Sequence, residues 1–315
     1  MKLNPLFKCL LALCGLLTLV TTGGRRALRV SEASAAESRT ATEARATRDD
    51  ITKAFGFLPG FFKTMSDVAV VGTWQEMKGL QMNPKTALSG KSKELIGLAV
   101  SSQIPCRYCI YAHTLFAELN GASEQEIAEA VALAGLERHW SAYLYGSQVD
   151  ETRFRADVLR IVQNAKGPSS GSTQPIVVVD ARTANADIQQ SLGFVPEFFR
   201  SVPESALPGA WREMKDLKLA PTSIAPKVKS LIALAVASQV PSRPCVVAET
   251  EFAKLGGATE AEISEAVGMA AITRNMSTML NGMQVDETAW RADIDRLVAG
   301  VKAAQRKSAS AAPTH

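Results

Sequence analysis

One short segment of this chain carries the side chains best suited to redox chemistry. Cys106 and Cys109 are three residues apart, and His113 follows four residues later. On a single helix these spacings place all three side chains on one face. The N-terminus of a helix stabilises a thiolate through its free amide groups and its dipole, and two thiols at this spacing can close a disulfide with little motion. The segment therefore predicts a redox-active cysteine pair in which at least one thiol has a lowered pKa.

A nearby carboxylate could take part in this chemistry, and other types of cysteine site must be compared with it. Glu94 lies twelve residues before Cys106, where it could face the pair as a proton acceptor. A c-type haem site needs histidine directly after the second cysteine, where Ile110 stands, and a thioredoxin domain needs a βαβ pattern that is missing. Zinc needs donors from several directions, so neither a metal nor a cofactor is expected. A structural disulfide in an exported protein remains an open alternative.

The elements that must position these residues are predicted to be helices. Residues 91–103 place apolar side chains at helical spacing, and residues 106–119 form a second helix that ends at an Asn-Gly pair. Ser123 with a glutamate three residues later has the pattern of a capping box at the start of a third helix. No segment alternates with period two for long enough to require a sheet. The predicted fold class is all-α.

An internal repeat determines the predicted organisation of the chain. Residues 56–62 return as 193–199, Trp74 returns as Trp211, and residues 148–152 return as 284–288, at offsets of 136 or 137. This pattern predicts two tandem copies of one helical domain. The predicted divisions are a signal peptide and flank at 1–35, a domain with the Cys-x-x-Cys pair at 36–166, a linker at 167–175, a degenerate domain at 176–305 and a disordered tail at 306–315. Residues 36–50 are also expected to be disordered.

The second copy lacks the redox residues. At the offset of 136, Cys106 corresponds to Ser242, Cys109 to Cys245, His113 to Glu249 and Glu94 to Ser230. One thiol without a partner cannot complete a two-cysteine cycle. We therefore expect a structural role for the second copy and a buried, unreactive Cys245.

The N-terminus predicts export. A basic start, an apolar run of about a dozen residues and nearby small residues are typical of a signal peptide, although an uncleaved anchor is the alternative. Five of the 35 basic and one of the 31 acidic residues lie in residues 1–35, which leaves thirty of each. A neutral mature chain has no electrostatic footprint for nucleic acid. The expected location is periplasmic or extracellular.

The spacing of Glu94, Cys106, Cys109 and His113 resembles that of the alkylhydroperoxidase D branch of the carboxymuconolactone decarboxylase superfamily. The resemblance covers about residues 50–160 and 187–297. It implies an all-helical oligomer in which Cys109 attacks peroxide, Cys106 resolves the product as a disulfide, and Glu94 with His113 forms a proton relay.

Two functions follow as hypotheses. The first is an exported thiol-dependent alkyl hydroperoxidase or disulfide oxidoreductase, whose partners are a peroxide substrate and an unidentified thiol reductant. The alternative is a non-catalytic assembly protein with a structural Cys106–Cys109 disulfide. In either case a homo-oligomer is expected, as a trimer of two-domain chains without nucleic acid.

Overall fold

The structure is a computed structural model that describes the backbone of residues 19–167 and 174–310, and the side chains of residues 37–167 and 174–307. Within these ranges the chain forms thirteen α-helices and no β-strand, which confirms the predicted all-α fold class. The helices are α1 Leu19–Phe55, α2 Gly60–Thr64, α3 Asp67–Glu76, α4 Gly90–Gln103, α5 Arg107–Leu119, α6 Glu124–Gly146, α7 Glu151–Lys166, α8 Ala181–Leu192, α9 Leu207–Glu213, α10 Pro226–Gln239, α11 Arg243–Leu255, α12 Glu260–Gly282 and α13 Glu287–Ser310. Two π-helical turns, Met77–Gln81 and Met214–Leu219, and a 3₁₀ turn, Glu197–Ser201, lie between them.

The N-terminal segment differs from its prediction. Residues 36–50, expected to be disordered, belong to α1. This segment is rich in alanine, glutamate and arginine, which favour a helix. Ala44 and Ile51, seven residues apart on one face of α1, are fully buried and stabilise it further. Of the predicted signal peptide and flank, residues 1–18 lie outside the described residues, and residues 19–35 continue α1. No described helix has both the length and the apolar character needed to cross a membrane.

The C-terminal end also differs from its prediction. The expected disordered tail begins within α13, which continues to Ser310, so residues 306–310 are helical. Residues 311–315 lie outside the described residues.

The chain divides into two compact units, residues 1–74 and 75–315. In the first unit Trp74 is buried and packs edge-on against Phe55 and Phe62, with ring centroids 5.3 and 5.9 Å away. Its indole Nε1 donates a hydrogen bond of 2.6 Å to Asp50. The repeated aromatic residues of this segment are therefore core residues.

Within residues 75–315, helices of both repeats share a hydrophobic core. Leu95 and Ile96 on α4 lie in the same buried cluster as Leu231 and Ile232 on α10. Helix α13 of the second repeat packs on α5, and α7 of the first repeat packs on α11. Each Cys-bearing helix is thus covered by the last helix of the other repeat.

Reciprocal hydrogen bonds join the repeats at a second place. Glu265 on α12 accepts from the backbone N–H groups of Ala87 and Leu88, both at 2.8 Å. Its counterpart Glu129 on α6 accepts from the N–H groups of residues 223 and 224, both at 3.0 Å. The two repeats therefore contact each other through equivalent residues, as a pseudo-symmetric pair does.

Candidate redox site

Cys106 lies at the start of the helix that carries the site. It is the N-cap residue of α5, with extended backbone angles, and its Sγ accepts a hydrogen bond of 3.4 Å from the backbone N–H of Cys109. This is the position at which a side chain satisfies one of the unpaired amide groups of a helix. The sequence correctly predicted a helix N-terminus at the cysteine pair, and Cys106 itself supplies the cap.

The two sulfur atoms lie 2.9 Å apart, and both thiols are free and buried. The pKa of Cys106 is lowered to about 5, chiefly by the hydrogen bond between the two sulfurs. Burial opposes this shift, while Ser277, the Cys109 amide and Asn281 favour the thiolate. The amide nitrogen of Asn281 lies 3.5 Å from the Cys106 Sγ. These donors therefore favour the thiolate form of Cys106.

Cys109 shifts in the opposite direction. Its hydrogen bond with Cys106 raises the pKa of its thiol, and burial raises it further. Within the pair, the thiolate form is therefore favoured on Cys106 and the protonated form on Cys109. If Cys109 were the attacking sulfur, its thiol would need the lower pKa of the two, which is the reverse of the order found here. The roles implied by the resemblance stay a prediction.

Glu94 and His113 form a buried pair beside the cysteine helix. The His113 Nδ1 lies 2.6 Å from the Glu94 Oε2, and both side chains are less than one-tenth exposed. Gln81 donates a hydrogen bond of 3.2 Å to the other Glu94 oxygen, and the Thr273 hydroxyl lies 3.5 Å from the His113 Nε2. The carboxylate of Glu94, which the sequence analysis expected to face the cysteine pair, contacts His113, one turn after Cys109 on α5. The carboxylate fixes the orientation of the imidazole ring.

The position of the His113 ring depends on a glycine. A Cβ atom at Gly97 on α4 would lie 2.3 to 2.7 Å from three atoms of the ring, which is inside van der Waals contact. Only glycine therefore allows the ring to lie where it does. The equivalent residue of the second repeat is Ala233, where Glu249 replaces the histidine.

The second repeat completes the site, which the sequence did not predict. Thr273, Ser277 and Asn281 are spaced by four residues on α12, so they share one face of that helix. This face meets His113 and Cys106. A signal was present in the sequence, because these three positions correspond to Glu137, Ser141 and Tyr145 in the first repeat. Thr273 and Asn281 differ strongly in chemistry from their counterparts Glu137 and Tyr145. The residues around the cysteine pair differ between the repeats in the same way.

Tyr108, between the two cysteines, is held by the second repeat. Its hydroxyl donates a hydrogen bond of 2.6 Å to the carbonyl of Val285. The indole of Trp290 donates to the Tyr108 carbonyl at 3.1 Å and packs edge-on against its ring. These contacts fix the first turn of α5, and with it the distance between the sulfurs.

The carboxymuconolactone decarboxylase family matches the chain twice, over residues 69–151 and 206–288. Together the two matches span more than half of the sequence. The chain belongs to the carboxymuconolactone decarboxylase family. The first match includes the cysteine pair and the second includes Asn281, so the site combines two family repeats in one chain.

Among solved structures, a candidate gamma-carboxymuconolactone decarboxylase subunit from Burkholderia xenovorans LB400 is similar to this family member at 15% identity. The similarity covers 83% of this chain and 98% of that one, with a TM-score of 0.49. No curated protein matches the chain. The tandem duplication that the sequence predicted is confirmed by the two family matches.

The second repeat of this family member has a different set of polar groups. Ser242 begins α11 without a side-chain capping hydrogen bond, and Cys245 is buried with a raised pKa, chiefly because burial disfavours its thiolate. Glu249, at the position equivalent to His113, forms a buried ion pair with Lys218. The predicted burial of Cys245 is confirmed, and no second Cys-x-x-Cys pair is present.

Proposed function

We propose that the protein is an exported thiol-dependent hydroperoxide reductase of the alkylhydroperoxidase D type. The observation that carries the proposal is the pair of free sulfurs 2.9 Å apart, of which one lies at a helix N-terminus and has a lowered pKa. A thiolate is the nucleophilic form of cysteine, and an adjacent thiol can trap its oxidised product.

The reaction balances with the groups of this site. The thiolate attacks one oxygen of a hydroperoxide, the O–O bond breaks, and the departing alkoxide takes up a proton to leave as alcohol. The resulting sulfenic acid is attacked by the second thiol, which forms the disulfide and releases water. An external dithiol then reduces the disulfide by exchange and restores both thiols.

The charge distribution favours Cys106 as the attacking sulfur. Its pKa is lowered, so its thiolate form is favoured, while the pKa of Cys109 is raised, which favours the thiol whose proton must be lost when the disulfide closes. The family resemblance implies the opposite assignment, with attack by Cys109. The two assignments differ in which single-cysteine variant still forms a sulfenic acid, so they are separable by experiment.

We assign proton transfer to His113 and Glu94. His113 lies four residues after Cys109, one turn further along the same face of α5. Its Nδ1 is held by Glu94, which leaves Nε2 as the nitrogen that exchanges protons. General acid catalysis by such a group stabilises the departing alkoxide, and its removal lowers rates by about 10²–10⁴-fold.

The test is one equivalent of cumene hydroperoxide added to the reduced full-length protein, followed by peptide mass spectrometry. The expected result is an intramolecular Cys106–Cys109 disulfide, release of cumyl alcohol, and an unmodified Cys245 thiol. Cumyl alcohol alone is the control and should oxidise nothing. If the pair stays reduced while the peroxide persists, the peroxidase proposal is wrong. A disulfide that forms in air but supports no turnover with dithiothreitol would favour the assembly alternative.

A further inference from the structure

A partly enclosed cavity lies between the two repeats, at the position equivalent to the site around Cys106 and His113. It has a volume of about 80 Å³, several times the roughly 10–15 Å³ that one water molecule requires. Cys245 and Glu249 line it, and they correspond to Cys109 and His113. Its walls are otherwise almost entirely apolar side chains of α6, α7 and α11, among them Leu136, Phe154, Val158 and Phe252.

Two buried polar atoms in the cavity wall have no hydrogen-bond partner. They are the Oε1 of Glu137 and the Nε1 of Trp140, on side chains that are 6% and 5% exposed. Both residues lie on α6, three positions apart, so they share a face of that helix. Buried polar groups in proteins are nearly always paired, and a pair of unpartnered groups in one cavity indicates a ligand that satisfies them.

The charges around the cavity select an uncharged ligand. Burial, and then the neighbouring Glu249, raises the pKa of Glu137 to about 8, so its carboxyl is protonated at neutral pH. Lys218 and Glu249 neutralise each other in their ion pair. A charged ligand would therefore enter a buried apolar space without a free counter-ion, which is strongly unfavourable.

The geometry points to a second binding site, formed by Glu137, Trp140 and the apolar cavity, for a small uncharged carbonyl compound with an aliphatic body. The protonated carboxyl of Glu137 and the indole of Trp140 each offer a donor, and a carbonyl oxygen has two lone pairs that accept from both. The apolar walls contact the hydrocarbon part. This site does not depend on the redox chemistry of the first repeat.

The tryptophans provide a direct test on the unmodified protein. The chain has four, and the indole N–H groups of Trp74, Trp211 and Trp290 already donate to Asp50, Asp187 and the Tyr108 carbonyl. In ¹⁵N spectra of the full-length protein, acetone, which is small enough for a cavity of about 80 Å³, should shift the Trp140 indole resonance downfield and leave the other three in place. A Trp140→Phe variant assigns the resonance. An unchanged Trp140 signal at saturating acetone would overturn the proposal.

Two comparisons test the carbonyl and the cavity separately. Isobutene has nearly the shape of acetone but no oxygen that could accept from the indole, so it should leave the Trp140 resonance close to its ligand-free position. Ala248→Leu fills the cavity and should abolish binding, while Ala112→Leu, at the equivalent position of the first repeat, should not. A Trp140 shift of equal size with both probes, or equal binding of acetone to a folded Ala248→Leu variant and its control, would also contradict the site.

Discussion

The amide group of Asn281 lies 3.5 Å from the sulfur of Cys106, although the two residues belong to different repeats. The contact joins α12 of the second repeat to the N-terminus of α5. Every hydrogen-bond donor that faces a thiolate stabilises its negative charge. The second repeat, which has no cysteine pair, therefore stabilises the thiolate of Cys106 in the first repeat.

The pH dependence of alkylation should reveal this charge. Because the pKa of Cys106 is about 5, its thiolate is fully formed above about pH 6 and is lost as the pH falls through 5. The rate of Cys106 labelling by iodoacetamide should therefore be nearly flat from about pH 6 to 8, whereas an ordinary thiol gains about tenfold per pH unit there. Peptide mass spectrometry gives the rates of each cysteine separately. Faster labelling of Cys109 or Cys245 would contradict the order of acidity.

Replacing Asn281 should weaken the thiolate without touching either cysteine. Asn281→Leu removes a donor to the Cys106 sulfur, so the pKa of Cys106 should rise and its labelling near pH 5 should slow. Tyr145→Phe is the matched control, because Tyr145 is the equivalent residue of the first repeat and its hydroxyl bonds the segment at Pro241 and Arg243, away from Cys106. Identical pH profiles for both variants would show that Asn281 does not act on the thiolate.

The sequence predicted one half of the site and missed the other. Glu94, His113 and the cysteines were predictable because helix periodicity fixes which side chains share a face, and adjacent helices pack against each other. The positions of Thr273, Ser277 and Asn281 could not be predicted. Their contacts join residues separated by about 170 positions in the sequence, so they depend on how the two repeats pack. The helical state of residues 36–50 was missed for a similar reason, since burial of Ala44 and Ile51 outweighs a polar composition.

Single-cysteine variants should separate the two roles. With Cys106 as the attacking sulfur, Cys109→Ser should retain one round of peroxide reduction and hold Cys106 as a sulfenic acid, because serine cannot close a disulfide. Cys106→Ser should consume no peroxide. Dimedone labelling followed by mass spectrometry identifies the oxidised residue. The opposite pattern, with a sulfenic acid on Cys109, would support the roles implied by the family resemblance.

Gly97→Ala should disturb the relay through a single added methyl group. The new Cβ would lie 2.3 to 2.7 Å from the His113 ring, so the ring must move away from its present contact with Glu94. Steady-state peroxide turnover should fall toward that of His113→Gln, a loss of about 10²-fold or more. Gly135→Ala is the control, since a methyl group there meets nothing within 4 Å. Equal turnover by the two alanine variants would show that the placement of the ring does not limit catalysis.

The first repeat should not be stable without the second. Residues 36–166 contain every predicted redox residue, but they lack α10, which covers the apolar face of α4, and α12, which supplies Asn281. Exposure of Leu95 and Ile96 removes about 1.5–3 kcal/mol of hydrophobic stabilisation for each side chain, a large share of the stability of a small domain. We therefore expect this fragment to aggregate or unfold, and the full-length chain, of 33.7 kDa, to form a homotrimer. Light scattering and circular dichroism on both proteins measure this directly. A soluble, helical and fully active fragment would refute the dependence on the second repeat, and a monomeric full-length protein would refute the trimer alone.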